Sequence, residues 1–341
     1  MIYNFCTIVN KKYLLYGLGL YYSLAKQSIN FRLFIFTFDN YTFDLLNKLK
    51  LPHLTPVALK DFEDKELLRV KQTRTISEYC WTCSSSTVLY CLKKFNLPSC
   101  TYVDADLFFF SSPQSLIDEL GSNSISLSEH HYAPDKEQEV LLHGKYCVQF
   151  MTFKNDERGL AALEWWRERC LEWCYNRVED GKFGDQKYLD DWLERFPGTY
   201  VIKNGGAIAS WNVDRYDLST LSGQVLATEK ENNTKSPVIF YHYHNSQLFL
   251  IMNRVKVWGY IRNPKTFKIL YRPYARALTE MLGRVRKIDP GFQAGFQKSL
   301  RFWLLWFKEL LPQKFKGAIK KSKQKSRLVS IVPEHPDCIQ R

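Results

Sequence analysis

The segment "TYVDADLFFF" (101–110) sets Asp104 and Asp106 two residues apart between apolar runs. Residues i and i+2 of an extended chain point the same way, so both carboxylates can address one cation. Burying unpaired charge is costly, so the pair calls for an opening to water, a cation, or both. A hard divalent ion held by a few carboxylates keeps positions free for phosphate oxygens. As a Lewis acid it can offset charge building on a departing diphosphate. The bare spacing is common, however, and a solvated turn with two surface acids is the plain alternative.

Four further stretches carry residues of the right type. In "FYHYHN", His242 and His244 share one face of a predicted strand, and either imidazole can join Asp106 around a metal. A core histidine satisfied by a backbone carbonyl is the competing role. In "FGDQKYLDDW", Asp185 opens a predicted helix, where it can cap the helix or face a ligand, and Gln186 beside it can bind sugar hydroxyls. In "NGGAIASWN", Gly205-Gly206 permits close backbone approach to a ligand and Trp211 offers a flat apolar surface, unless the stretch is a tight turn with a core tryptophan. Lys71 and Arg74 precede a predicted helix and can pair with phosphates, or else lie on the surface.

The elements that must position these groups follow from hydrophobic periodicity. Strands are predicted at 2–9, 31–39 and 55–62, helices at 13–26, 42–51 and 77–95, the last with Leu89, Leu92 and Phe95 inward. A strand then breaks at the Asp pair. This alternation argues for a doubly wound, mainly parallel sheet, which binds ligands at the carboxyl ends of its strands. The Asp pair stands at such an end, and that placement raises it above a chance match. Downstream, strands are predicted at 124–130, 145–153 and 237–244, the last preceded by "TYVIKNGGAIASWN" (199–212). Helices are predicted at 157–178 and 184–196.

The 341 residues suffice for one large domain or two smaller ones, and 45% apolar with 24% charged residues is ordinary for a folded chain. The net charge of +13 is concentrated: 282–327 holds 13 Lys/Arg against 2 Asp/Glu, a net of +11, leaving 13 − 11 = +2 for everything else. Nine cysteines, an odd number in a long chain, fit reduced thiols rather than a disulfide framework, and Cys80-x-x-Cys83 has no second pair at finger-like spacing. Lys11-Lys12 before "YLLYGLGLYYSLA" imitates a signal peptide, but a strand-like run precedes it and no clean cleavage site follows, so a cytoplasmic location is expected.

Taken in order, "SEYCWTCSSSTVLY", "TYVDADLFFFSSP", "FGDQKYLDDW", "GGAIASWN" and the late His strand resemble the GT-A-fold nucleotide-diphospho-sugar glycosyltransferases, in particular bacterial ones of surface-polysaccharide assembly. The resemblance covers roughly 1–250. It implies a Rossmann-like mixed sheet, mainly parallel and flanked by helices, with a metal-dependent transfer of sugar from a nucleotide-diphosphate donor, a UDP-sugar being favoured, to a glycan or lipid-linked acceptor. Carried over by position, Thr7 and Asp39 fall near the base and ribose. Asp104 and Asp106 fall on the Mn2+ or Mg2+ motif, and Asp185-Gln186 near the donor sugar, with Asp185 the first carboxylate to test for direct chemistry. In the glycogenin-containing retaining family a His-x-x-Gly block supplies a third ligand. His242 would align with that His, but Asn245 stands in place of the Gly, so the choice between His242 and His244 stays open, as does retention or inversion.

The expected organisation is a catalytic domain at 1–260, a connecting segment at 261–298 and a basic, aromatic helical extension at 299–341. Within the extension, 299–327 suits an anionic membrane surface, placing the enzyme peripherally on the inner face, with no nucleic acid partner expected. Two rivals stand beside this expectation. A nucleotidyltransferase usually has a Gly-rich loop near the N-terminus, and "FCTIVNKKYLLYG" has none. The other rival is a membrane- or polyanion-binding protein on an inactive transferase fold.

Overall fold

The computed structural model describes residues 2–259, 263–298 and 300. β1 (Tyr3–Val9) is buried along its whole length, as a strand covered on both faces by helices must be. It is followed by α1 (Leu14–Ala25), β2 (Phe31–Thr37), α2 (Asn40–Leu49), β3 (Leu54–Ala58), α3 (Ile76–Lys94) and β4 (Ser99–Val103). The helix starts are chemically marked. Asp39 caps α2 by accepting from the Thr42 amide, and Thr75 and Glu78 form a reciprocal capping box on α3.

The chain continues through β5 (Leu107–Phe109), β6 (Ile125–Glu129), β7 (Tyr146–Cys147), β8 (Phe150–Lys154), α4 (Glu157–Glu172) and β9 (Thr199–Val201). The main sheet has the order β3-β2-β1-β4-β8-β6-β7, with β9 on β6. β3, β2, β1 and β4 are parallel; β8 is antiparallel to β4 and β6, and β9 is parallel to β6. The expected mixed, mainly parallel sheet flanked by helices is therefore the observed architecture.

Beyond it come β10 (Ala207–Ala209), the meander β11 (Tyr216–Leu221), β12 (Gln224–Glu229) and β13 (Lys235–Pro237), and then β14 (Phe240–His242). β14 sits between β10 and β5 in a second small sheet. A hairpin, β15 (Gln247–Ile251) and β16 (Arg254–Trp258), leads to α5 (Arg272–Arg286). α5, within the expected connecting segment, buries Tyr274, Leu278, Met281 and Val285 in the same core as α1 and β1. On the other face of the sheet, α3 and α4 enclose a second core around Val88, Leu92, Leu163 and Trp166.

Several sequence expectations need correction. The strand predicted at 55–62 stops at Ala58 and gives way to a helical turn at Leu59–Phe62. The strand predicted at 145–153 is two, β7 and β8, because Val148 and Gln149 leave the ladder. The helix predicted over 157–178 ends at Glu172; Trp173 is extended and its carbonyl accepts from the Tyr188 hydroxyl. The helix predicted over 184–196 is only a turn at Lys187–Leu189 and a short helix at Trp192–Arg195. The run is too short to nucleate a helix by itself, and Asp190 is drawn away to accept the Lys145 amide. On α3, Leu92 is buried as expected, but Leu89 and Phe95 are only half-buried; the stretch Thr82–Val88, including three serines, is buried all round the helix. The eight described cysteines are free thiols. No helix among the described residues is long and apolar enough to cross a membrane. The expected membrane contact at 299–327 lies outside the described residues, Leu300 excepted.

Candidate functional site

Three registers bring the acidic turn and the histidine strand together. β4 ends at Val103, paired with Phe150, so Asp104 faces Gln149, whose carbonyl accepts the Asp104 amide at 3.0 Å. β5 runs antiparallel to β14 with Leu107 opposite His242, and the Asp106 carbonyl accepts the Tyr243 amide at 3.0 Å. β10 runs parallel to β14 with Ala209 opposite His242, which carries Trp211 to the same place. Ala105, itself buried, lets the turn between the two carboxylates stay tight.

Ligand atoms of Asp104, Asp106 and His242 all lie within 4.8 Å of one another. His242 Nε2 is 2.9 Å from Asp106 Oδ1 and 3.7 Å from Asp104 Oδ2, and its Nδ1 is 2.9 Å from Gln149 Oε1. His242 is buried, whereas the carboxylates retain 30% (Asp104) and 14% (Asp106) side-chain exposure, so the cluster opens to solvent on the acidic side. His244 is exposed, two positions past the strand end, with Asn245 Nδ2 2.8 Å from its Nε2. The structure thus brings His242 rather than His244 into the carboxylate cluster.

The electrostatics are divided. Burial raises Asp104, and Asp106 adds to that, while His242 pulls the other way; the net direction is up. Burial also acts on Asp106, but the His242 charge and hydrogen bond outweigh it and hold that carboxyl below its usual range. Burial lowers His242, yet Asp106 more than reverses this and raises it. A separate carboxyl, Asp185, is 5% exposed and pushed up to about 7, mainly by burial, with Asp104 contributing in the same direction and a Ser84 hydrogen bond opposing.

Asp185 does not act as a helix cap; its main-chain carbonyl accepts the Trp166 indole at 2.8 Å and its carboxyl meets Ser84 of α3. Gln186 is turned away, donating to the His143 carbonyl at 2.8 Å. Trp211 stands edge-on to His242 at 5.0 Å and to His244 at 5.6 Å, while its indole donates to the His130 carbonyl. Gly205 is exposed. Gly206 approaches the chain itself: a Cβ there would lie 2.5 Å from the Pro237 carbonyl oxygen, so glycine is required by packing at that point.

The remaining predicted residues have local partners. Thr7 is buried within β1, and its hydroxyl lacks a hydrogen-bond partner among the described residues. Asp39 accepts the amides of Lys11 (2.6 Å) and Thr42 (2.7 Å), so both its oxygens hold the loop and helix start. Lys71 pairs with Glu63 at 2.6 Å, and Arg74 lies over the Tyr175 ring at 3.9 Å. Sequence inspection missed Gln149, Ser84 and His130. The polar run Ser84-Ser85-Ser86 on a helix that had to be buried was the available signal for Ser84; Gln149 had none.

The donor set fits a divalent cation. Two carboxylates supply hard oxygens, and the imidazole nitrogen that faces them is backed by a hydrogen bond on the opposite ring nitrogen, the usual support for a ligating histidine. No family model matches the chain. Two uncharacterised Bacillus subtilis (strain 168) proteins are similar along nearly their whole lengths. YfnD is 30% identical over 299 residues, 86% of this chain and 94% of its own, and YfnF is 33% identical over 296 residues, 84% and 95% respectively. Among solved structures, the galactosyltransferase LgtC in complex with donor and acceptor sugar analogs is 12% identical, covering 71% of this chain and 87% of its own, with a TM-score of 0.47. Mouse xyloside xylosyltransferase 1 is also 12% identical, covering 72% and 98%, with a TM-score of 0.46.

Proposed function

The chain belongs to the family of these two Bacillus proteins, and we propose that it is a metal-dependent GT-A glycosyltransferase. It moves a sugar from a nucleotide-diphosphate donor, a UDP-sugar in the first instance, to a glycan or lipid-linked glycan of the cell surface. The observation that carries this reading is the meeting of Asp104, Asp106 and His242 at the carboxyl end of β4, where a mainly parallel sheet offers its ligand crevice.

Asp106 and His242 are the ligands we assign to Mn2+ or Mg2+, with Asp104 as third ligand or ribose contact; an imidazole in the set favours Mn2+. A bound ion supplies electrostatic stabilisation of charge on the departing diphosphate. Asp185, buried and titrating near neutrality, is the carboxyl that can hold or give up a proton beside the donor sugar. Trp211 presents its ring at the edge of the histidines, where a sugar face can stack. Lys71 and Arg74 are engaged elsewhere and are not required by this account.

The cytoplasmic, peripheral location is part of the proposal and rests on the basic, aromatic composition of 299–327. Deleting 299–341 should release the protein from anionic vesicles and spare donor hydrolysis; retained binding would refute that docking role. The activity itself is tested by screening nucleotide sugars for hydrolysis with and without Mn2+. Metal-dependent release of nucleotide, abolished in Asp104→Ala/Asp106→Ala, is expected. Turnover that survives this double substitution would sink the transferase reading.

A further inference from the structure

Gln149 belongs to none of the sequence motifs, yet it is completely buried at the break between β7 and β8. Its main-chain carbonyl accepts the Asp104 amide at 3.0 Å, so it fixes one end of the acidic turn. Its side-chain Oε1 lies 2.9 Å from His242 Nδ1, and on the other side of that ring Nε2 lies 2.9 Å from Asp106 Oδ1. One residue therefore touches both arms of the cluster. An amide oxygen can only accept a hydrogen bond. The contact thus keeps a proton on Nδ1, and in the neutral ring the lone pair belongs to Nε2, the nitrogen that faces the carboxylates.

We propose that Gln149 is a positioning residue of the metal site: it selects the His242 tautomer that can ligate a divalent cation and holds the Asp104 turn in register with it. This inference rests on the metal reading given above. The β4–β8 register is the structural means: Val103 pairs with Phe150, so the next residues, Asp104 and Gln149, meet through the bond from the Asp104 amide to the Gln149 carbonyl. Gln149 Nε2 is buried with no hydrogen-bond partner among the described residues, an unfavourable state for an amide. Turning the amide over would satisfy that nitrogen by donating to Nδ1, but it would move the ring proton to Nε2 and remove the lone pair from the metal side.

The test uses the full chain stripped of metal and titrated with Mn2+, free Mn2+ being read by electron paramagnetic resonance. Gln149→Met keeps the size and removes the acceptor; Gln149→Glu offers only oxygens and keeps it. Loss of an outer-shell partner costs about 10- to 100-fold in metal affinity, and that is the weakening expected for the Met variant. The Glu variant should stay within about threefold of the parent on the same principle. A Met variant that binds like the parent, or Met and Glu variants weakened alike, overturns the positioning role. A parent chain that binds no Mn2+ instead removes the metal reading itself. Long-range proton–nitrogen NMR of His242 in the unsubstituted, metal-free protein needs no variant. A proton on Nδ1, directed at Gln149, is expected whatever Nε2 carries opposite Asp106, and an Nδ1 without a proton overturns the proposal.

Discussion

Two places among the described residues bring three metal-ligating side chains within 4.8 Å of one another: Asp104, Asp106 and His242 at the sheet end, and Cys6, Cys91 and Cys100 between β1, α3 and β4. By ligand count they are equal. The three thiols, however, are completely buried, amid the apolar residues of the α3–α4 face. Burial pushes Cys91 and Cys100 well up, toward the neutral thiol; it acts the same way on Cys6, where hydrogen bonds from the neighbouring thiols outweigh it. Cys91 and Cys100, so placed, behave as small hydrophobes. In the acidic cluster two of the three groups reach solvent, and His242 is held from behind by Gln149. Proximity of ligand types does not make a site; an opening and a supporting shell do.

This contrast can be broken first by substitution. Asp104→Ala/Asp106→Ala should reduce Mn2+ affinity by at least about 100-fold, since the carboxylates are the hard donors, while Cys91→Ala should leave it unchanged. Equal losses in calorimetric titrations would erase the distinction.

Asp185 sharpens the contrast through stability. Its folded-state pKa, about 7, lies above the ordinary carboxylate value, so the folded protein holds the extra proton between about pH 4 and 7. Stability from this group is therefore greatest at low pH and is lost as pH rises through 7. Asp185→Asn should stabilise the protein at pH 8, by up to about 4 kcal/mol at roughly 1.4 kcal/mol per unit, with the gain vanishing near pH 4. Urea unfolding of both forms at the two pH values checks this; a loss at pH 8 would contradict it.

His130 acts in the opposite sense. Burial lowers it to about 3, while an unfolded histidine protonates near 6.5. The unfolded state takes the proton first, so stability falls as pH drops through 6.5 toward 3, by about 2 kcal/mol at pH 5. His130 should accordingly show no ring titration by NMR between pH 8 and 4.5, and a midpoint near 6 would refute the burial argument. The smallest effect belongs to the thiols: in the native protein Cys91 and Cys100 should not react with a disulfide reagent until it unfolds, and rapid modification would show the cluster to be accessible.

The succession β1-α1-β2-α2-β3 and the strand end at Asp104 were legible in the sequence because each rests on local periodicity and caps such as Asp39 and Thr75. Asp104 and Asp106 were legible for the same reason. The choice of His242 over His244 was not, because it depends on the register of β5 against β14, which joins segments far apart in the chain. Gln149 was hidden by an apolar pattern that reads as one strand and folds as two. The contacts of Lys71 with Glu63 and of Arg74 with the Tyr175 ring were not legible either, because those partners come from other elements.

The most direct test of the central claim is anomalous diffraction at the manganese edge from crystals of the full chain equilibrated with Mn2+ and UDP. The account predicts one strong peak about 2.0–2.3 Å from His242 Nε2 and an Asp106 oxygen, with diphosphate oxygens completing the sphere. A peak at the cysteines, or at His244 without Asp106, would contradict it.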